Sequence, residues 1–226
     1  MKIGIIVAMG KELKLLLPLI ESLSTITLND ITFHRGKMGR YDVTAMQCGI
    51  GKVNAAIGTL TLIENFHPDL LINTGVAGGA GSAAGILDLV VADSIAYHDV
   101  WCGPGTEWGD AAGCPRYFHS VPEISALPCL NNNDKIKHGL ICSGDIFISK
   151  AEEVARIKSL FPEVLAVDME SASIAQVCYL KNVPFFCARV ISDTPGGDDN
   201  IAQYENFWDD APRHTFEALS NILSNI

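Results

Sequence analysis

Two apolar runs with a helical repeat between them, within residues 164–193, set the architecture of the chain. The runs 164–167 and 183–192 each have the length and composition of a buried strand. Between them, over 171–181, apolar residues recur at helical spacing until Pro184 excludes further helix. A strand, a helix and a strand in direct succession predict an α/β sheet.

Acidic side chains follow both of these strands. Asp168 and Glu170 come after the first strand, and Asp193 comes after the second. Ligands of parallel α/β sheets bind beyond the carboxyl ends of the strands, so chemistry is expected here. Glu12 has a similar place after the N-terminal apolar run, in the first turn of a predicted helix. Acids at these places also cap helices or complement their dipoles, so the residues alone leave both interpretations open.

The rest of the chain continues the alternation of strands and helices, which predicts one three-layer α/β domain over 1–226. The predicted elements are a strand at 1–9, a helix at Leu13–Leu23, antiparallel strands over Thr25–Cys48 with turns at 29–30 and 39–40, a helix at Val53–Phe66, strands at 69–75, 87–99 and 138–147, a helix at 150–161 and a closing amphipathic helix at Tyr204–Ile226.

Composition excludes several classes of partner. The formal net charge of -10, with 16 Lys+Arg, lacks the basic footprint that nucleic acids and anionic membranes require. Seven cysteines without a C-x-x-C pair favour reduced thiols and a cytoplasmic location. The apolar run Ile3–Met9 is too short for a signal sequence or a membrane span.

The glycine clusters do not match known nucleotide-binding loops. Near Gly51, a phosphate loop would need glycine at Met46 and serine or threonine at Val53. After Gly79, a dinucleotide fingerprint would need glycine at Ala84. The Gly/Pro-rich segment Val100–Pro115 is long for a loop in a compact domain, which favours a functional or interface role.

Six motifs in a fixed order identify a family resemblance over nearly the whole chain. They are MKIGIIVAM followed by Glu12, CGIGKVNAA (48–56), INTGVAGG (72–79), SGDIFI (143–148), VDMES (167–171) and ISD (191–193). Together they resemble the methylthioadenosine/S-adenosylhomocysteine nucleosidases. The resemblance implies a twisted mixed sheet of the nucleoside phosphorylase type, a homodimer, and no metal or organic cofactor. The implied reaction is hydrolysis of the bond between adenine and a 5'-thio-substituted ribose.

The resemblance assigns a separate task to each of three carboxylates. Asp193 matches the acid that protonates adenine N7, and burial would keep it protonated. Glu12 matches the base that activates water on the opposite face of the sugar. Glu170 matches the residue that holds the ribose hydroxyls, and its charge would favour a cationic sugar.

The remaining implied contacts surround base, sugar and 5' group. Phe147 would stack on adenine, and Met9 and Ile50 would contact the 5' group; without the resemblance, all three would be read as core residues. The other implied substrate-binding residues are Ala77, Gly78, Ile148, Val167, Asp168, Met169, Arg189 and Ser192.

Three departures from the family pattern affect these expectations. Val76 stands where many members have a serine near the attacking water, so fewer groups would hold that water. Asp168 replaces the usual glutamate, which would shift the sugar contacts. The segment after Asp99 diverges, and Trp101 or Trp108 would reshape the 5' pocket.

Other functions remain open from the sequence. A phosphorylase would need arginines near the phosphate, but Lys11 and Glu12 occupy the first loop and no arginine lies within 75–79. A hydrolase for another adenine nucleoside, such as 5'-deoxyadenosine or aminodeoxyfutalosine, fits the same motifs. A non-catalytic nucleoside-binding protein would have no need of both Glu12 and Asp193.

Overall fold

A computed structural model of the chain describes residues 1–197, 199–210 and 212–226, with backbone only for 208–210 and 212–217. The strands are β1 (Lys2–Val7), β2 (Glu21–Leu28), β3 (Ile31–Met38), β4 (Tyr41–Gln47), β5 (Leu70–Gly79), β6 (Leu89–Tyr97), β7 (Phe118–His119), β8 (Ile136–Ser143), β9 (Val164–Asp168) and β10 (Phe185–Asp193). The helices are α1 (Gly10–Leu16), α2 (Lys52–Phe66), α3 (Pro122–Ser125), α4 (Pro128–Asn131), α5 (Ala151–Leu160), α6 (Ser171–Lys181), α7 (Asn200–Asp210) and α8 (Pro212–Asn225).

These strands form one mixed sheet that closes on itself at one end. Strand β10 lies parallel to β5 and antiparallel to β6, while β8 lies parallel to both β6 and β9. Strand β9 then pairs antiparallel with β5, which completes a ring of five strands. The order β1, β4, β3, β2 extends the sheet outward from β5. The predicted α/β fold with a mixed sheet is confirmed, and its closure is a feature that the sequence did not predict.

Helices cover both faces of the extended sheet, as the alternating side chains of β1 show. Ile3 and Val7 belong to a core shared with Leu219 of α8. Ile6, which points to the opposite face, belongs to a core shared with Leu62 of α2 and with α6. Because successive strand residues face opposite sides, one strand supplies both layers of the core.

The N-terminal helix is shorter than predicted. The expected helix Leu13–Leu23 ends as α1 at Leu16 and continues only as a single 3-10 turn, Leu17–Leu19. Pro18 lacks the backbone N–H that a continuing helix would use. Strand β2 begins at Glu21, so the last predicted helical residues belong to the sheet instead.

The other element boundaries follow the sequence approximately, with the larger corrections at α7, β5 and β8. The closing helix expected from Tyr204 begins earlier, at Asn200, and is described over Asn200–Asp210 and Pro212–Asn225. Strand β5 continues through the glycines to Gly79, and β8 ends at Ser143 rather than Phe147. Predictions of the β2–β3–β4 hairpins, α2 and α6 are confirmed.

No helix among the described residues is long and apolar enough to cross a lipid bilayer.

Candidate active site

The carboxyl ends of β1, β5, β9 and β10 meet at one cleft, because β5 and β9 pair only through their final residues. Gly78 of β5 is paired with Val167 of β9 and with Asp193 of β10. The cleft encloses about 490 Å³, including the part open to solvent. All the residues that the sequence predicted for the site line it or its adjoining extension: Met9, Glu12, Ile50, Ala77, Gly78, Phe147, Ile148, Val167, Asp168, Met169, Glu170, Arg189, Ser192 and Asp193.

Glu12 is completely buried, and three backbone N–H groups of the described residues donate to its carboxylate. Its Oε2 accepts the N–H groups of Ala8 and Met9, both at 2.8 Å, and its Oε1 accepts the N–H of Val76 at 3.0 Å. Glu12 occupies the third position of α1, so its bond to Met9 also closes the start of the helix. The carboxylate therefore has a fixed orientation before any ligand binds.

Arg189 is 1% exposed and places a positive charge among the carboxylates. Its Nη2 lies 2.9 Å from Asp168 Oδ2 and 3.6 Å from Glu170 Oε2. Asn73 and Ser171, both fully buried, also contact it: Asn73 Oδ1 accepts from Nη2 at 2.9 Å and Ser171 Oγ accepts from Nε at 3.2 Å. The guanidinium plane is thus fixed from several sides.

Asp168 reaches its partners despite being shorter than the usual glutamate. Besides Arg189, it accepts a hydrogen bond from Ser143 Oγ at 2.5 Å and another from the hydroxyl of Ser171. Glu170 is anchored differently, because its Oε1 accepts the N–H of Gly51 at 2.9 Å. That bond joins the end of β9 to the start of α2.

The site holds more acidic than basic groups, and burial shifts the pKa values of its acids. Burial raises the pKa of Glu12, against the lowering influence of Arg189 and of its three backbone N–H donors. Burial likewise raises the pKa of Glu170 to about 7, with Arg189 opposing the rise and Asp168 adding to it. A cation placed among these carboxylates would therefore be stabilised.

Asp193 is 2% exposed at the end of β10. Its Oδ1 accepts a hydrogen bond from Ser192 Oγ at 2.6 Å, and its Oδ2 accepts one from Asn200 Nδ2. Burial raises the pKa of Asp193, while the two hydrogen bonds act in the opposite direction. A raised pKa favours the protonated form, which is the form that can donate a proton to a ligand.

An apolar and aromatic wall lies beside the acids. Phe147 and Tyr204 are in edge contact, with ring centroids 5.6 Å apart, and the Tyr204 hydroxyl lies 3.0 Å from Met9 Sδ. Ile50 is exposed beside them on the lining of the cleft. This wall suits a flat heteroaromatic ring or an apolar substituent.

Val76 contributes backbone rather than side chain to the carboxylate site. Its N–H is one of the three donors to Glu12, and its apolar side chain is buried where a serine hydroxyl was expected. The anchoring of Glu12 is therefore independent of this departure. A hydroxyl that could bind water is missing from this position.

No group of His, Cys, Asp and Glu with a metal-binding arrangement occurs in the part of the chain that the structure describes.

Comparison with known proteins gives the family. Residues 2–224 match the family model of the phosphorylase superfamily. The methylthioadenosine/S-adenosylhomocysteine nucleosidase of Staphylococcus saprophyticus is 40% identical over 228 residues, which are 99% of this chain and 100% of the relative. This chain belongs to the methylthioadenosine/S-adenosylhomocysteine nucleosidase family.

Solved structures of this nucleosidase family share the whole fold. The Streptococcus pneumoniae enzyme, solved with the transition-state inhibitor MT-ImmA, has a TM-score of 0.94 and 35% identity, with 100% of this chain and 99% of that chain covered. The S-adenosylhomocysteine nucleosidase of Streptococcus pyogenes, solved with 5-methylthiotubericidin, has a TM-score of 0.93 and 36% identity, with 99% and 96% covered.

Among the residues that line or support this nucleosidase cleft, the sequence analysis missed Tyr204, Asn200 and Asn73. Tyr204 was predicted only as the start of an amphipathic closing helix, and Asn200 lay outside that predicted helix. Asn73 lies within INTGVAGG, but nothing in that motif indicates that its side chain supports Arg189 across the sheet. Their contacts span between 7 and 195 positions in sequence, so periodicity could not have found them.

Proposed function

We propose that this protein hydrolyses the N-glycosidic bond of 5'-methylthioadenosine and S-adenosylhomocysteine, releasing adenine and the 5-thio-ribose product. The observation that carries the proposal is the presence of two separately anchored buried carboxyl groups, Glu12 and Asp193, in one cleft. Membership of the nucleosidase family over the full chain supports the choice of substrate.

Asp193 is proposed as the acid. Protonated Asp193 donates its proton to N7 of adenine while the bond between C1' and N9 breaks, and the bonding electrons go to the purine. Adenine then leaves neutral rather than as an anion, and Asp193 becomes a carboxylate that accepts from Ser192 and Asn200. A general acid contributes roughly 10²–10⁴-fold to such a step.

Glu12 is proposed as the base that completes the reaction. Water attacks C1' as positive charge develops there, its oxygen bonds to C1', and its proton passes to Glu12. Three backbone donors hold Glu12 for this task. Glu170 binds the ribose hydroxyls, and the excess of carboxylates over Arg189 stabilises the cationic sugar.

Water fits this cleft better than phosphate. Arg189 is the only cationic side chain among the described residues that line the cleft, and Asp168 and Glu170 already pair with it. A phosphate dianion would need several unpaired donors and would approach Glu12 against charge repulsion. The charge balance thus supports hydrolysis over phosphorolysis.

The remaining substrate contacts are proposed from the same lining. Phe147, with Ile148 behind it, covers adenine, and Val167 and Met169 border the base and sugar. Met9 and Ile50 form the wall for the 5'-thio group. Ala77 and Gly78 let the ligand approach the end of β5 closely.

A homodimer is proposed from an apolar surface beside the cleft. Val53 and Ile57, one turn apart on α2, are 68% and 54% exposed, and Tyr179 and Leu180 of the neighbouring α6 are also exposed. With Ile50, they are exposed apolar side chains of the kind that is enriched at interfaces. We expect light scattering to give twice the chain mass, and Ile57→Glu to give the mass of one chain. A monomeric native protein would contradict the dimer.

A cytoplasmic location is proposed from the cysteines. All seven lie at described positions and are free thiols. Free thiols persist in a reducing compartment.

The test is adenine release from methylthioadenosine and S-adenosylhomocysteine, measured with and without phosphate. We expect release that is independent of phosphate, and a kcat roughly 10²–10⁴-fold lower for Asp193→Asn. Asp88→Asn is the matched control, because Asp88 is a buried aspartate outside the cleft. Release that requires phosphate, or an Asp193→Asn variant as active as Asp88→Asn, would refute the mechanism.

A further inference from the structure

Asn200 is oriented toward the proposed acid rather than toward its own helix. It is the first residue of α7, and the Asp199 carbonyl oxygen before it accepts the first hydrogen bond of the helix. The Asn200 Nδ2 donates to Asp193 Oδ2, seven residues earlier in the chain. Asn200 is 4% exposed, so the interaction is shielded from solvent.

The burial of the carbonyl oxygen of the same amide is energetically unfavourable. Asn200 Oδ1 is buried and has no hydrogen-bond partner among the described residues. Turning the amide by half a rotation would place this oxygen against Asp193 Oδ2, where it could bond only to a protonated carboxyl. The observed orientation therefore suits an Oδ2 that carries no proton and accepts a hydrogen bond.

Ser192 contacts the other oxygen of the Asp193 carboxyl group, Oδ1. Its Oγ lies 2.6 Å from Asp193 Oδ1 and 3.3 Å from the Ala77 carbonyl oxygen. A hydroxyl can both donate and accept. Ser192 can accept from a protonated Oδ1 while donating to Ala77, and it can donate to Oδ1 once the proton has gone. Oδ1 can thus carry the proton, whereas the Asn200 amide group at Oδ2 can only donate.

We infer that Asn200 is a positioning residue that directs the transferable proton of Asp193 to Oδ1 and stabilises the carboxylate that remains after transfer. The inference rests on the proposed role of Asp193 as the acid to adenine N7. The proton moves from Oδ1 to N7, the electron pair of the O–H bond stays on the carboxylate, and Asn200 stabilises the resulting charge. Asn200 itself touches no substrate atom in this scheme.

Two variants of Asn200 test the inference, with Gln203→Ala as the matched control. Asn200→Ala removes the donor to Oδ2, and Asn200→Asp keeps the size but places a second carboxylate there. Gln203 is also an amide of α7 that reaches back to the end of β10, where its Oε1 accepts the Thr194 N–H at 2.9 Å. Gln203 does not contact Asp193. The Gln203→Ala variant therefore measures only the structural effect of losing a hydrogen bond between α7 and the end of β10.

The expected readout is the pH at which activity falls on the alkaline side, because Asp193 must be protonated to act. Losing a donor to the charged form raises the pKa of Asp193, so Asn200→Ala should move this limb upward by about one pH unit and lower kcat about tenfold. Asn200→Asp should move it further, because a neighbouring carboxylate disfavours ionisation. Gln203→Ala should lower the melting temperature without changing the pH at which activity falls on the alkaline side.

A carbon-13 NMR titration of the aspartate carboxyls reads the pKa of Asp193 without turnover, with its resonance identified by its absence from Asp193→Asn. An upward shift in the Asn200 variants but not in Gln203→Ala supports the inference. An Asp193 pKa that matches the native protein in either folded Asn200 variant overturns it. If the native protein releases no adenine, the proposed function fails, while the titration still decides whether Asn200 controls Asp193.

Discussion

Gly75→Ala is expected to displace the carboxylate of Glu12 without altering any ionisable group. A methyl at position 75 would lie 2.2 Å from Glu12 Oε1 and 2.8 Å from Arg189 Nη1. Carbon and oxygen atoms in contact need more than 3 Å, so the carboxylate must retreat by about 1 Å. That movement breaks its 3.0 Å hydrogen bond from the Val76 N–H.

The effect on rate and stability follows from that displacement. A misplacement of about 1 Å in a reacting group costs on the order of 10²-fold in rate, so kcat should fall about 100-fold. Stability should fall by about 2–4 kcal/mol, because a buried carboxylate loses a donor and position 75, with φ of 139°, disfavours any side chain. The rate is measured by adenine release and the stability by chemical denaturation.

Gly39→Ala is the matched control for backbone strain. Gly39 also has a positive φ, 57°, but a methyl there would meet nothing within 4 Å. It should lose about 1 kcal/mol of stability and keep its native kcat. A Gly75→Ala protein whose kcat stays within threefold of the native value would refute the placement of Glu12 in the reaction.

Two further predictions concern the carboxylate cluster. Val76→Ser adds a hydroxyl beside Glu12 that can bind the attacking water, and one added hydrogen bond should raise kcat about 2–10-fold; an unchanged or lower kcat would contradict this. The raised pKa of Glu170 means that the folded protein binds its proton more tightly than the unfolded chain, whose pKa is 4.5. Its contribution to stability is therefore full below pH 4.5 and is lost as pH rises through about 7, by about 3 kcal/mol. Glu170→Gln should remove that decline in urea-denaturation series from pH 4 to 8, and a decline as steep as the native one would exclude Glu170 as its source.

The sequence predicted the elements whose signals are local. The turns at 29–30 and 39–40 and the end of α6 depend on residues that tolerate a left-handed backbone, and Asn182 does adopt φ of 53°. The helix over Leu13–Leu23 was overextended because leucines 13, 16, 17 and 19 continue the helical spacing, whereas Pro18 and the pairing of β2 with β3 end the helix.

Closure of the sheet lay beyond sequence reasoning, because it depends on pairing between strands far apart in the chain. Strand β5 meets β9 only through two residue pairs, Gly78 with Val167 and Gly79 with Ala166. No pattern of hydrophobicity in β9 distinguishes this pairing from an ordinary parallel neighbour.

The motifs identified the residues of the cleft, but they did not identify the hydrogen-bond donors that orient those residues. Motifs indicate which residue types recur together, and they placed Glu12, Glu170 and Asp193 in one site. The fixed orientation of each carboxylate comes instead from backbone N–H groups and from α7. Backbone donors leave no trace in residue identity, so only the structure gives them.

Glu12 and Asp193 are held in place by different parts of the chain. In the proposed mechanism, the backbone donors to Glu12 lie between β1 and α1 and in β5, within the first 79 residues, whereas the donors to Asp193 lie on β10 and α7. A substitution at Asn200 can therefore change the donor to Asp193 while the three backbone donors to Glu12 stay in place. The surroundings of the proposed acid can vary within such a fold while the anchoring of the proposed base is kept.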